Sequence, residues 1–163
     1  MAADVFLKLT GIQGDSTDSK HANEIEVLSF SSGVSMALGP RSFSGSAPNE
    51  RASFSDLSIT KVVDSASPFL FKAVCTGQHI AEAVLSVNRA DGKGGKVEYL
   101  KYTLGDVVMA NYQASGSDGS GLPVESFSLN YAKIQIAFTP TDATGAGKGA
   151  KMAGWDVALN KPV

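Results

Sequence analysis

His21-Ala-Asn-Glu-Ile-Glu-Val-Leu-Ser-Phe-Ser-Ser-Gly33 reads as extended chain whose two halves are out of phase. Ile25 and Val27 are apolar and interleave with Glu24 and Glu26, whereas beyond them Leu28 and Phe30 are apolar and interleave with Ser29 and Ser31. A strand turns successive side chains to opposite faces, so this change of parity requires a one-residue slip, the mark of a β-bulge. The expectation is one long strand, bulged near Val27-Leu28, that keeps a single face in the core. Its other face carries Glu24, Glu26, Ser29 and Ser31, small or charged groups suited to water or to a partner.

A strand of this kind needs neighbours, and the flanking segments supply them. On the N-terminal side Val5, Leu7 and Leu9 alternate with Phe6 and Lys8 as a short strand, and a polar Gly/Ser/Asp loop leads to His21. On the C-terminal side, residues 34–53 contain Gly39-Pro40, Gly45 and Ala47-Pro48-Asn49, a density of breakers that argues against regular structure. A compact domain seldom carries ~20 structureless residues without a reason. The segment is either disordered or an arm that orders on a partner. Residues 54–60 then form a strand with Leu57 and Ile59 on one face and Asp56, Ser58 and Thr60 on the other.

One helix is expected, running from Asp64 to Gly77. Ser67 can cap it, Pro68 suits the first helical position, and Gly77 suits the position after its end. About three turns long, it is marginal alone and must pack on the sheet. Cys75 falls inside it and reads as a packing thiol. Residues 80–89 and 97–104 flank Asp91-Gly-Lys-Gly-Gly as a hairpin. Further strands are expected at 106–112, at 124–139 with a second bulge between Tyr131 and Ile134, and at Trp155, Val157 and Leu159. The class is an all-β barrel or sandwich of about eight strands with one lateral α-helix, in a single domain over residues 1–163.

At 163 residues and 16.9 kDa, surface scaling has such a chain bury roughly two thirds of its unfolded surface, enough core to fold without disulfides or a structural metal. A formal charge of -2, with lysines and arginines scattered singly, excludes the basic footprint of nucleic-acid binding and of an anionic membrane surface. One cysteine excludes an internal disulfide framework and a cysteine-only zinc site. No apolar run approaches the ~20 residues of a membrane span, and no secretory signal is visible. No cofactor is expected.

Catalytic patterns are equally sparse. His21 and His79 have no metal-ligand neighbour at suitable spacing and read as surface or capping residues. The stretches Gly92-Lys-Gly-Gly and Gly145-Ala-Gly-Lys-Gly lack the Walker spacing and a following helix, so both read as turns. No Gly-x-Ser-x-Gly elbow is present. Glu24 and Glu26 lie two apart on one strand face, ~7 Å, a separation that inverting glycosidases use. With no aromatic sugar platform beside them, they read as a solvated face. The chain reads as non-enzymatic.

The order of segments resembles a known family. Phe6-Leu-Lys-Leu, Gly14-Asp-Ser, the His21–Ser31 stretch and Gly33 are similar to the start of Hcp, the haemolysin-coregulated protein of bacterial type VI secretion. Leu57-Ser-Ile-Thr-Lys with Asp64 and Ser67-Pro68, Gly77-Gln-His, Val97-Glu-Tyr-Leu, Pro123-Val-Glu-Ser-Phe-Ser-Leu-Asn-Tyr-Ala-Lys-Ile and Gly154-Trp155 extend the likeness over the whole chain, in collinear order. The sequence departs from the pattern at Ser32, where relatives often carry an aromatic, and in the composition of residues 34–53.

The resemblance implies an Hcp-like, phage tail-tube-like barrel that assembles as a homohexamer, with rings stacking head to tail into a hollow tube. It further implies type VI effectors as cargo in the ring lumen, sheath, spike and baseplate proteins as partners, and assembly in the bacterial cytoplasm followed by export. Under it, Ser29 and Ser31 are expected to face the lumen. Gly39, Pro40, Arg41, Phe43, Gly45 and Pro48 are expected to form an arm to a neighbouring subunit. The alternative is a monomeric β-sandwich that binds a ligand such as a carbohydrate.

Overall fold

The computed structural model describes residues 3–36, 51–119 and 121–163. Among these described residues, nine strands and one helix follow in order: β1 (Asp4–Leu9), β2 (Ile25–Val27), β3 (Ser29–Met36), β4 (Ala52–Val62), α1 (Ser67–Thr76), β5 (His79–Ala90), β6 (Lys96–Ser115), β7 (Val124–Phe138), β8 (Lys151–Asp156) and β9 (Lys161–Pro162). The strand order is β2-β1-β5-β6-β7-β4-β3, with every neighbouring pair antiparallel. β8 lies beside the second half of β7, and β9 beside β8.

The ends of that order, β2 and β3, are consecutive in the chain and separated by Leu28 alone. The two ends of the sheet are therefore joined through one kinked stretch of chain, around which the open sheet curls. This corrects the expectation of a single bulged strand. The parity change at Val27-Leu28 is a corner at which the chain stops pairing with β1 and starts pairing with β4. Leu28 turns outward and is 61% exposed, while its N–H donates to the Thr60 carbonyl at 2.8 Å. Nor does β3 keep a face in the core throughout, because Phe30 is half-buried whereas Val34 and Met36 are exposed. A bulge does occur, farther along, where the β3–β4 register shifts between Ser31 and Gly33.

β5 and β6 form the expected hairpin, with Ala83, Leu85 and Val87 buried against Leu104 and Val107. The Asp91 carboxylate ties its turn by accepting the N–H groups of Lys93 at 2.7 Å and Gly95 at 2.8 Å. The two strands expected at 97–104 and 106–112 are one strand of 20 residues, kinked at Asp106, whose φ is 53°. Between Tyr131 and Ile134 no bulge is present, since the β6–β7 register runs unbroken from Leu100↔Phe138 to Met109↔Leu129. Buried positions change parity on both strands at the Asp106 kink, from Leu104 to Val107 on β6 and from Tyr131 to Ile134 on β7. There β7 exchanges its second neighbour, β4 below and β8 above. The bulge lies at Ala110, where the register shifts between Met109 and Asn111. The closing strand is also shorter than its alternation suggested, because the chain turns after Asp156 and leaves Leu159 exposed.

α1 ends as expected, at Gly77 with φ 63°, a left-handed position that glycine adopts without penalty. Its start differs. Ala66 is the N-cap and no side chain caps it, because the Ser67 hydroxyl points inward. The helix buries Leu70 and Ala73 and leaves Phe69 and Phe71 exposed. Cys75, read as a packing thiol, is also exposed. The phase of a helix ten residues long is set by which residues meet the sheet, and here Leu70 and Ala73 meet it, which turns the Phe71–Cys75 side outward.

Candidate functional site: a hydroxyl-lined sheet face

On β4 and β7, Leu57, Ile59, Phe127 and Leu129 point into the core. Strand alternation therefore directs Ser58, Thr60, Ser126 and Ser128 to the opposite face. The register aligns them across four strands. One rung runs Ser29–Thr60–Ser126–Gln113 and the next runs Ser31–Ser58–Ser128–Asn111. Eight adjacent positions thus carry hydroxyls or primary amides and no charge. The flanking acid, Asp56, accepts a hydrogen bond from Asn130 Nδ2 at 2.9 Å.

Ser29 and Ser31 are both exposed, as are Ser58, Asn111 and Gln113, while Ser128 is enclosed. Ser86 and Asn88, a polar pair two apart on β5, are buried. The candidate arm residues Gly39, Pro40, Arg41, Phe43, Gly45 and Pro48 lie outside the described residues.

Beyond Leu57 the β3–β4 hairpin parts from β7, and an apolar groove of about 430 Å³ opens between it and β8. Val34, Met36, Phe54, Tyr131, Ile136 and Trp155 line it. Among the described residues, β3 ends the strand order and is hydrogen-bonded along one side only, to β4. Natural edge strands are usually blunted by charge or proline. Ser29-Phe-Ser-Ser-Gly-Val-Ser-Met36 has neither, and its one interruption is the bulge near Ser32.

Directly behind the hydroxyl face lies a polar network that sequence reading missed. Lys61 and Glu125 are buried and joined by a hydrogen-bonded ion pair. Lys61 Nζ also donates to Asp64 Oδ1 at 2.8 Å and to the Val62 carbonyl at 2.9 Å. Ser67 Oγ donates to Glu125 Oε1 at 2.6 Å, and the Tyr112 hydroxyl donates to Glu125 Oε2. Burial acts to raise the Glu125 pKa, but the bonds from Lys61, Ser67 and Tyr112 outweigh it and hold the carboxyl below its ordinary value. Burial, with the Glu125 carboxylate adding to it, pushes the Tyr112 hydroxyl up to about 12. The network fastens the first turn of α1 to β4, β6 and β7. The available signal was parity. Lys61 continues the inward positions Leu57 and Ile59, and Glu125 those of Phe127 and Leu129, so two opposite charges were placed facing the core.

His21, read as a surface or capping residue, is buried as well. Its ring stacks on Phe6 with centroids 4.5 Å apart. Nδ1 lies 2.8 Å from Glu24 Oε2, and Nε2 lies 2.8 Å from Asn88 Nδ2. Glu24 thus secures a loop instead of facing solvent beside Glu26. His79 is exposed, with Nδ1 at 3.0 Å from Asp106 Oδ1.

These features can be set beside known proteins. Residues 6–138 match the profile of a family described as "Type VI secretion system effector, Hcp". Protein hcp1 of Pseudomonas aeruginosa is 35% identical over 161 residues, covering 98% of each chain. Among solved structures, one described as a type six secretion system protein superposes with a TM-score of 0.91 at 30% identity, covering 99% of this chain and all of the other. Hcp1 from Salmonella typhimurium superposes with a TM-score of 0.82 at 36% identity, with full coverage of both chains. The profile match spans most of the chain and the relatives align end to end, so this protein belongs to the Hcp family of type VI secretion tube proteins.

Proposed function

We propose that this chain is a structural subunit of the type VI inner tube, closing into hexameric rings that stack and carry effectors in their lumen. The observation that carries the reading is the uncharged hydroxyl face spanning β3, β4, β7 and β6, bordered by an unprotected edge strand. A polar, uncharged wall lets cargo bind and leave, and an edge strand without charge or proline is suited to continuing the sheet into a neighbour. Ring closure follows when such heterologous contacts rotate correctly, and the two faces of the ring then stack. Ser29 and Ser31 face the lumen in this assembly. Sheath, spike and baseplate proteins are the partners, with rings assembled in the bacterial cytoplasm before export.

Size-exclusion chromatography with light scattering tests this directly. The expected mass is near six times 16.9 kDa. Val34→Asp, in the edge strand, reduces the mass to that of one subunit, whereas Ser31→Lys leaves the ring intact and removes cargo retention. A single-subunit mass for the unaltered chain at every concentration overturns the reading and favours a monomeric binding module.

A further inference from the structure

The strand that completes the hydroxyl face does so through a bulge. On β6, Val107 and Met109 point into the core, so uninterrupted alternation would send Asn111 and Gln113 inward as well. The extra residue at Ala110 reverses the phase. Tyr112 consequently turns inward, where it donates to Glu125, and Asn111 and Gln113 are exposed at the ends of the two hydroxyl rungs. Bulges are over-represented at sheet edges, at barrel rims and next to active sites, where they re-aim a side chain or end pairing. This one brings the two primary amides onto the face.

We infer that Asn111 and Gln113 are specificity-determining contacts for an extended, uncharged polypeptide segment lying on the hydroxyl face. The inference rests on the reading of that face as the channel wall. A primary amide presents one acceptor oxygen and two N–H donors, so it can meet both the N–H and the carbonyl of a peptide group. Residues two apart on a strand are ~7 Å apart, the distance at which an extended chain repeats its same-side backbone groups. The hydroxyls of Ser126 and Ser58, one and two strands away, donate or accept as the partner requires. With no charge on either rung, hydrogen bonding to the main chain decides which segments bind, and ionic attraction contributes nothing.

The test uses three fluorescent peptides of equal length, one built from Gly, Ser, Asn and Thr, one with lysines introduced and one with glutamates, titrated by anisotropy against the full chain. The uncharged peptide is expected to bind with an affinity that changes less than about twofold between roughly 50 and 500 mM NaCl, because no charges are there to be screened. Asn111→Ala/Gln113→Ala, at two exposed positions, is expected to weaken that binding about tenfold, or ~1.4 kcal/mol, with unchanged particle mass and melting temperature. Binding by the double variant equal to that of the parent overturns the inference. So does preference for either charged peptide with a steep salt dependence, and so does failure of all three peptides to bind. Light scattering on the same samples separates the two levels. Rings that bind no peptide remove this inference alone, whereas a single-subunit mass removes the assembly reading.

Discussion

Lys61 and Glu125, 64 residues apart in the chain, meet side chain to side chain with neither exposed to solvent. They join the end of β4 to the start of β7, and through Ser67 and Asp64 they seat α1, whose own apolar contribution is confined chiefly to Leu70 and Ala73. Breaking such a pair from one side leaves an uncompensated buried charge, at a cost of about 3–5 kcal/mol. Lys61→Met and Glu125→Leu are each expected to lose stability on that scale in urea unfolding. The double variant is expected to recover a large part of the loss, because it leaves no charge buried at that position. Additive losses would show that the two residues do not act as a pair.

The same network sets the response to pH. Glu125 has a folded pKa below its ordinary value of 4.5, so its contribution is complete above that value and is lost as pH falls through the folded one. Tyr112 is raised from 10.0 to about 12, so its contribution is complete below pH 10.0 and is lost as pH climbs towards about 12. Chemical denaturation across pH should therefore show an acid limb that Glu125→Gln flattens. Tyr112→Phe should flatten part of the alkaline limb and leave the part due to Tyr131, which burial also raises.

Helix α1 offers a contrast between neighbours. Leu70 is fully buried and Phe69 is 59% exposed. Leu70→Ala is expected to cost about 2–5 kcal/mol, through lost transfer energy and the cavity left behind. Phe69→Ala is expected to stay within about 1 kcal/mol, since surface substitutions away from special features rarely exceed that. Equal losses would mean that the helix presents a different face to the sheet.

Two glycines separate steric from conformational cost. A Cβ on Gly14 would lie 2.5 Å from the Glu24 carbonyl oxygen, which is backbone and cannot swing aside. One on Gly11 meets nothing, but the backbone there holds φ at +86°. Gly11→Ala is expected to cost about 1–2 kcal/mol from the left-handed conformation alone. Gly14→Ala should cost about 1–3 kcal/mol from crowding. Only the latter should loosen the backbone bonds that pair Gly14 with Asn23 and Ser16 with Glu24, read by amide exchange at Gly14 and Ser16.

Alternation alone carried much of the architecture. β1, β4, β5 and β7 were legible because each has one face in the core, and a period-two pattern then survives in the residues. The helix was legible from Pro68 and Gly77, whose backbone restrictions act locally. Ser29 and Ser31 were legible as a polar pair because they alternate with Leu28 and Phe30.

Tertiary structure decided the rest. The phase change at Leu28 reads alike for a bulge and for a corner, and only the identity of the paired strands, β1 before and β4 after, distinguishes them. Cys75 and Phe71 face outward because packing on β6 set the helix phase, a choice that apolar composition on most sides left open. His21 is buried because Phe6 and Asn88, on other strands, come to meet it. The hydroxyl face is a property of register. Ser29, Thr60, Ser126 and Gln113 are far apart in the chain, and hydrogen-bonded pairing of four strands, with a bulge at Ala110 to bring the last into phase, makes them one surface. A single chain's alternation fixes which side of its own strand a residue occupies, but long-range pairing determines what stands beside it.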